Sequence, residues 1–195
     1  MELRHTSASL RDIDIENRTA EFVISDNTKD RHNTVLDVDG WHLDNYNKNG
    51  IVGYQHDVYG EDQANPDNVI GIGKAEMRDG KLIGIVTFEP ENINPLAEKI
   101  FQKVQFGTLR ATSVGFNPLE QGEFRKMEDS DAEIYHYGKR DLLEFSIVNI
   151  PSNPNAVRSI EKKEADRLTL PEKEKEKPNT LNLKRKRLEL IEKNL

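Results

Sequence analysis

The 195-residue sequence contains no cysteine, only 7% aromatic residues and a single tryptophan. Without cysteine the chain cannot form a disulfide, use a thiol nucleophile or bind zinc through thiolates, so its reactive side chains are hydroxyl, imidazole and carboxylate groups. No stretch approaches the roughly 18 apolar residues of a membrane-spanning helix, and the N-terminal residues MELRHTSASLRDIDI lack the apolar segment of a signal peptide. We therefore expect a protein that stays in the cytosol where it is made and has no membrane partner.

Charged residues are unevenly distributed and divide the chain into two parts. Residues 160–195 carry 11 Lys and Arg against 8 Asp and Glu, whereas residues 1–159 carry 17 against 27. The C-terminal segment has no aromatic residue and cannot bury enough apolar area to offset its chain entropy, which predicts a flexible or partly helical tail behind a folded domain over 1–159. The acidic domain disfavours nucleic acid as a partner. The basic run KRKR at 184–187 either contacts phosphate or, as we favour, keeps the tail in solvent.

Short strands and turn residues dominate the first part of the chain. Alternating apolar residues predict hairpins over 10–25 and 69–89, the second with Asp79-Gly80 at its turn, and further strands over 51–55, 109–117 and 142–150. Residues 26–50 predict a long irregular connection. One helix is predicted between Asn94 as N-cap and Gly107 past its end. Together these elements predict an α+β protein, mainly β, in which a β-barrel or strongly curved sheet carries a few peripheral helices.

Ser113 is one candidate for a reactive side chain. It lies in TSVGF on a predicted strand, where alternation places it on the same face as Leu109, Ala111 and Gly115. Small neighbours leave room for a substrate backbone beside a nucleophile, but they equally suit tight packing of the strand. The segment is not a GxSxG nucleophile elbow, because Ala111 stands two residues before the serine.

His56 follows the predicted strand IVGYQ, where an imidazole can keep one nitrogen toward a partner and the other toward solvent. The alternative is a purely structural role, in which the histidine caps the end of a strand. The other histidines are His5, His32, His42 and His136, and of these only His136 lies in strand-like sequence, EIYHY.

Glu144 interrupts the otherwise apolar strand LLEFSIVNI, on the face predicted for Leu142, Ser146 and Val148. A buried carboxylate would destabilise the fold by several kcal/mol unless it is paired or hydrogen-bonded, and a histidine would satisfy it. Alternatively, this face of the strand is partly exposed to solvent and the carboxylate points into it. No HExxH, P-loop or Rossmann glycine pattern is present.

Four segments taken in order, YQHD, VIGIGKAEMRDGKLIGIVTFEP, LRATSVGFNPLE and LLEFSIVNIPSNPNA, resemble the phage prohead (capsid maturation) serine proteases, which are distantly related to the herpesvirus assemblins. The resemblance spans about residues 10–158, and its most specific parts are SVGF and LLEFSIVNIPSNPNA. It implies that Ser113 is the nucleophile and His56 the general base. Assemblins use a second histidine as the third catalytic residue, which would be His136; we prefer Glu144.

The resemblance further implies a serine endopeptidase without a cofactor, with residues 1–159 forming an assemblin-like, mixed-strand β-barrel. Its expected substrates are the scaffolding part of the major capsid protein and the protease itself, inside assembling proheads in the host cytoplasm. Self-association is a further expectation, and the tail would deliver the enzyme by binding a partner. A different class stays open, namely a catalytically inactive capsid-assembly or scaffold-binding protein with the same fold, or a small β-barrel binding module. The presence of His56, Ser113 and Glu144 argues against both.

Overall fold

The computed structural model describes residues 13–60, 63–126 and 132–158, and the predicted tail over 160–195 lies outside these ranges. The strands are β1 (Ile13–Asp14), β2 (Thr19–Ser25), β3 (Thr34–Leu36), β4 (Trp41–His42), β5 (Ile51–Tyr54), β6 (Val69–Arg78), β7 (Lys81–Phe88), β8 (Ala111–Pro118), β9 (Glu123–Lys126), β10 (Glu133–Tyr137) and β11 (Arg140–Val148). The α-helices are α1 (Asp44–Lys48) and α2 (Pro95–Phe106), and short 3₁₀ helices span Val38–Gly40, Asp57–Tyr59 and Pro66–Asn68. The described chain is therefore mainly β with few helices, as predicted.

Most strands belong to one eight-stranded sheet, in which β1, β2, β7, β6, β5 and β11 follow one another as neighbours. Strand β8 is antiparallel to β11 on one side, while β5 and β4 are both parallel to β11 along its other side. A second sheet has the order β3-β10-β9. Backbone ladders do not close a barrel within the described ranges. Instead, the Thr112 hydroxyl on β8 donates to the Val23 carbonyl on β2 at 3.1 Å, which brings the two ends of the large sheet together.

The two predicted hairpins are present because their turns can adopt the backbone angles that a tight reversal needs. Strands β6 and β7 pair from Arg78 with Lys81 onward, across a turn in which Asp79 and Gly80 have φ values of 51° and 69°. These left-handed angles match the right-handed twist of the strands that they join. Strands β1 and β2 form the first hairpin, with Arg18 at a φ of 56°.

Helix α2 covers one side of the core and also follows its prediction. The Asn94 side chain accepts hydrogen bonds from the N–H groups of Leu96 and Ala97 at 3.0 and 3.1 Å, and Gly107 ends the helix at a φ of 89°. Its buried residues are Ala97, Ile100, Phe101 and Val104. These residues form an apolar stripe, and Leu96, one turn before Ile100, is exposed. The stripe packs against the sheet through Phe101 and Phe88, whose ring centroids are 5.1 Å apart.

The segment predicted as a long irregular connection contains four short elements, namely β3, the 3₁₀ helix Val38–Gly40, β4 and α1. Strand β3 is parallel to β10, and strand β4 is parallel to the start of β11. Elements of two to five residues are too short to show a period, so that prediction was wrong because pairing with distant strands defines them.

Arg140 on β11 connects the two sheets. Its fully buried guanidinium donates to the Tyr137 carbonyl at 3.0 Å and also to the carbonyls of Gly138 and Asp37. It lies 4.1 Å from the centre of the Trp41 ring. Burial lowers the pKa of Arg140 to about 10, so the charge is retained at neutral pH. Arg140 thereby fixes the ends of β3 and β10 against the large sheet.

Candidate active site

A cavity of about 330 Å³ lies where the end of β2 approaches β8. We call this gap between β2 and β8 the seam. Ser113, His56 and Phe116 line the cavity, together with Ile24 and Ser25 at the end of β2. The cavity is therefore bounded by the two ends of the large sheet, at the place where its ladders do not close.

The first part of the seam is filled by residues 156–158, which follow the turn that contains Pro151 and Pro154. Thr112 N–H donates to the Ala156 carbonyl at 2.9 Å, and Arg158 N–H donates to the Arg110 carbonyl at 2.7 Å. Since the N–H of Thr112 points away from β11, alternation along β8 directs the N–H and carbonyl of Val114 away from β11 as well. The backbone of β8 next to Ser113 thus faces the seam.

Strand β11 explains how residues far apart in the sequence meet at this cavity. It lies between β5 and β8, so that Ser146 pairs with Gly53 on one side and with Ser113 on the other. His56 lies two residues beyond the end of β5. Ser113 and His56 line the same cavity, and within the described residues no hydrogen bond joins them.

His56 is placed by two consecutive residues with left-handed backbone angles, since φ is 56° at Gln55 and 62° at His56. Such angles destabilise a non-glycine residue by about 1–3 kcal/mol and persist only where other contacts enforce them. Here the Gln55 N–H donates to the Ile147 carbonyl at 3.0 Å, and the His56 N–H donates to Ser146 Oγ at 3.2 Å. The strained turn holds the imidazole against β11.

Glu144 is fully buried and accepts two side-chain hydrogen bonds. Its Oε1 lies 2.7 Å from His56 Nδ1, and its Oε2 accepts the Ser146 hydroxyl at 2.7 Å. The alternative in which Glu144 points to solvent is therefore wrong. A Cβ at Gly115 would lie 2.5 Å from Glu144 Oε1, so the space beside Ser113 holds the carboxylate.

A β-bulge removes Leu142 from the face predicted for Glu144, whereas Ser146 stays on that face. Leu142 pairs with Phe116 and Glu144 pairs with the adjacent Gly115, which leaves Leu143 as an extra residue in β11. Leu142 consequently belongs to the apolar core, whereas Glu144 shares the face of Ser146 and Ser113. Bulges re-aim side chains in this way and are common beside functional sites.

The charge of Glu144 governs the electrostatics of the site. Its hydrogen bond raises the pKa of His56 above the ordinary value, burial acts in the opposite direction, and the charges of Glu144 and Asp57 raise the pKa further. Burial and the same carboxylate also raise the pKa of the Tyr46 hydroxyl. Because Nδ1 is directed to Glu144, a neutral His56 carries its proton on Nδ1 and leaves Nε2 free to accept one.

His136, the alternative third residue, lies in a separate cluster. Its Nδ1 is 2.9 Å from Asp37 Oδ1 and 3.1 Å from the Arg125 guanidinium. It pairs with Val35 on β3, whereas Thr34 and Leu36, on the opposite face of that strand, line the cavity. Within the described residues, the structure brings Glu144 to His56 and does not bring His136 to Ser113.

Several further polar residues of the cavity, among them Ser25, His32 and Ser152, were not singled out as site residues from the sequence. Ser25 ends a predicted strand and the other two lie in irregular segments, so no local feature marked them as lining a cavity. Ser146 differs, because it stands two residues after Glu144 and alternation alone predicts that the two share a face.

The described residues contain no group of three or more His, Asp or Glu side chains that could hold a metal ion. In the same ranges, no helix is long and apolar enough to cross a membrane.

Comparison with protein families gave one match. Residues 82–170 match the family model described as caudovirus prohead serine protease. This match supports the family predicted from the sequence, and with it a protease of capsid maturation in general terms. The matched segment includes Ser113 and Glu144, whereas His56 precedes it. Searches of curated proteins and of solved structures gave no match, and the relation to the assemblins stays a prediction.

Proposed function

We propose that the chain is a serine endopeptidase in which Ser113 is the nucleophile, His56 the general base and Glu144 the residue that orients His56. The observation that carries this proposal is the contact between His56 Nδ1 and the buried Glu144 carboxylate, within a cavity that Ser113 and His56 both line. A base oriented by a third group beside a hydroxyl is the arrangement of acyl-transfer hydrolases. The alternative of an inactive assembly protein is not favoured by the family match.

In the proposed mechanism, His56 Nε2 takes the proton of Ser113 Oγ as that oxygen attacks the carbonyl carbon of the scissile peptide. The tetrahedral intermediate then breaks its C–N bond, and His56 returns the proton to the leaving amine. Water, activated by the same imidazole, hydrolyses the acyl-enzyme and regenerates Ser113. Glu144 stabilises the imidazolium that forms in both steps, because its carboxylate lies 2.7 Å from Nδ1. The Ser113–His56 hydrogen bond forms when substrate binds, as often happens in such sites.

The proposed substrates are the scaffolding part of the capsid protein and the enzyme itself, inside the assembling prohead. Membership of the prohead protease family supports this substrate class. The acidic domain does not offer nucleic acid a favourable surface.

Co-expression with the capsid protein, followed by mass spectrometry of the new termini, tests the proposal. Ser113→Ala and His56→Ala should each abolish cleavage, because the loss of one member of a catalytic unit reduces the rate by roughly 10⁴–10⁶-fold. Thr87→Ala on the exposed face of β7 and His42→Ala on β4 are matched controls, and both should cleave normally. A serine-reactive fluorophosphonate should label the wild type and not Ser113→Ala. Normal cleavage by folded Ser113→Ala would exclude Ser113 as the nucleophile.

A further inference from the structure

Two residues that line the cavity, Ser25 and Ser152, have buried hydroxyl groups with no hydrogen-bond partner among the described residues. Ser25 is fully buried at the end of β2. Ser152 follows Pro151 in the turn after β11, with its hydroxyl oxygen also buried. Neither has a role in the mechanism described above.

An unsatisfied buried hydroxyl is destabilising by about 1–3 kcal/mol, so two of them in one small cavity need a physical reason. Most other polar groups nearby are satisfied. Thr28, for example, accepts a hydrogen bond from the Asn155 side chain at 2.8 Å, and the Asp30 carboxylate accepts from Thr34 N–H at 2.8 Å. Among the described residues that line the cavity, Ser25 and Ser152 are the two with a buried side-chain polar atom that lacks a partner.

Both hydroxyls are held firmly in the wall of the cavity. The Asn153 side chain donates to Asp26 Oδ1 at 2.8 Å, which fixes the residues next to Ser152 and Ser25 against each other. The Ser152 carbonyl accepts from Arg31 N–H at 3.0 Å. Ile24 and Ser25 both line the cavity, although adjacent residues of a strand normally point to opposite faces. The register of β2 against β7 shifts between Val23 and Ser25, and this irregularity accounts for the shared position.

We propose that Ser25 and Ser152 are substrate-binding residues whose hydroxyls donate hydrogen bonds to main-chain carbonyl oxygens of the peptide in the cavity. The inference rests on the proposed function, since it assumes that the cavity with Ser113 binds a peptide. Carbonyl oxygens are the acceptors that every residue of a substrate presents, so the two hydroxyls hold a peptide of any sequence. In the complex they gain the partners that they lack in the free protein.

The test compares Ser25→Ala, Ser152→Ala and the double variant with wild type, using a peptide that spans the cleaved junction of the capsid protein. Each single substitution should lower kcat/KM about 10-fold, because it leaves a substrate carbonyl unpaired in a buried site. The same substitutions in a Ser113→Ala background should weaken peptide binding by a similar factor, measured by fluorescence anisotropy. Thr87→Ala removes a hydroxyl from an exposed strand position and should change neither value.

Thermal unfolding separates substrate binding from a structural role. Since the hydroxyls have no partner in the free protein, Ser25→Ala and Ser152→Ala should leave the Tm unchanged or raise it. Unchanged kcat/KM and peptide affinity would overturn the inference, and so would a loss of activity that follows a lowered Tm. Normal cleavage by Ser113→Ala would refute the proposed function instead, while the binding comparison in that background would still test the two donors.

Discussion

Replacing Glu144 by Gln removes a negative charge from the candidate active site and nearly preserves the shape of the side chain. The carboxylate contacts His56 Nδ1 through one oxygen and the Ser146 hydroxyl through the other, both at 2.7 Å. A Gln can direct its carbonyl oxygen to Nδ1 and its amide nitrogen to Ser146 Oγ. Both hydrogen bonds therefore have a replacement, and the domain should stay folded.

The lost charge sets the size of the effect. In the proposed mechanism, His56 becomes a positively charged imidazolium as Ser113 attacks, and a carboxylate about 4 Å away stabilises it by ~4 kcal/mol at an effective dielectric constant of about 20. Losing that stabilisation in the transition state should lower kcat/KM by roughly 10³-fold. The substitution also removes the main cause of the raised pKa of His56, so the acid limb of the pH–rate profile should move to lower pH.

The assay measures kcat/KM on the junction peptide across pH, at matched concentrations of folded protein. Glu133→Gln on an exposed position of β10 is the matched control for the charge, and His136→Ala tests the alternative third residue. Both control variants should keep a kcat/KM close to that of the wild type. A Glu144→Gln variant with normal kcat/KM, combined with an inactive but folded His136→Ala, would refute the reasoning and indicate a Ser–His–His site.

Three further predictions concern the same contacts. Because the pKa of His56 is raised, its neutral, basic form appears only at higher pH, and kcat/KM should rise through an apparent pKa above the ordinary 6.5; a midpoint at or below 6.5 would contradict this. The stability that this shift contributes is fully present below pH 6.5 and lost as the pH rises through the folded-state pKa, so the Tm difference between wild type and His56→Ala should shrink in that direction. Gly115→Ala should reduce kcat/KM by roughly 10²-fold, because its Cβ would lie 2.5 Å from Glu144 Oε1 and displace the carboxylate from His56. Gly60→Ala, whose Cβ would meet nothing closer than 3.4 Å, is the control, and equal kinetics for the two variants would show that the space at Gly115 is not needed.

Local chemistry made the hairpins and the main helix predictable. Asp79-Gly80 requires left-handed backbone angles, and Asn94 and Gly107 supply the two helix caps, so each element is determined by residues close in the sequence. The gap between β2 and β8 depends on the pairing of strands far apart in the chain. No local pattern specifies whether the ends of such a sheet join through a ladder or through one side-chain contact such as that of Thr112.

The same contrast between local and long-range information applies to the candidate site. Ser113, His56 and Glu144 were each ambiguous as single residues, and only the resemblance to a family linked them. Alternation correctly placed Glu144 on the face of Ser146 but also put Leu142 there, because a bulge cannot be recognised from the local sequence. The pairing of Ser146 with Ser113 brings this face to Ser113. The unpartnered hydroxyls of Ser25 and Ser152 became visible only when the hydrogen bonds of the folded chain were known.

The open seam has a kinetic consequence for the choice of substrate. The backbone of β8 beside Ser113 faces the cavity, so a chain that enters must present unpaired main-chain groups of its own. A segment inside a folded domain does so only while it is locally unfolded, and each ~1.4 kcal/mol of local stability lowers that population tenfold. Cleavage would then be governed by the local unfolding free energy of the target as much as by its side chains. A folded capsid domain would then resist cleavage, whereas a flexible linker of similar sequence would be cut.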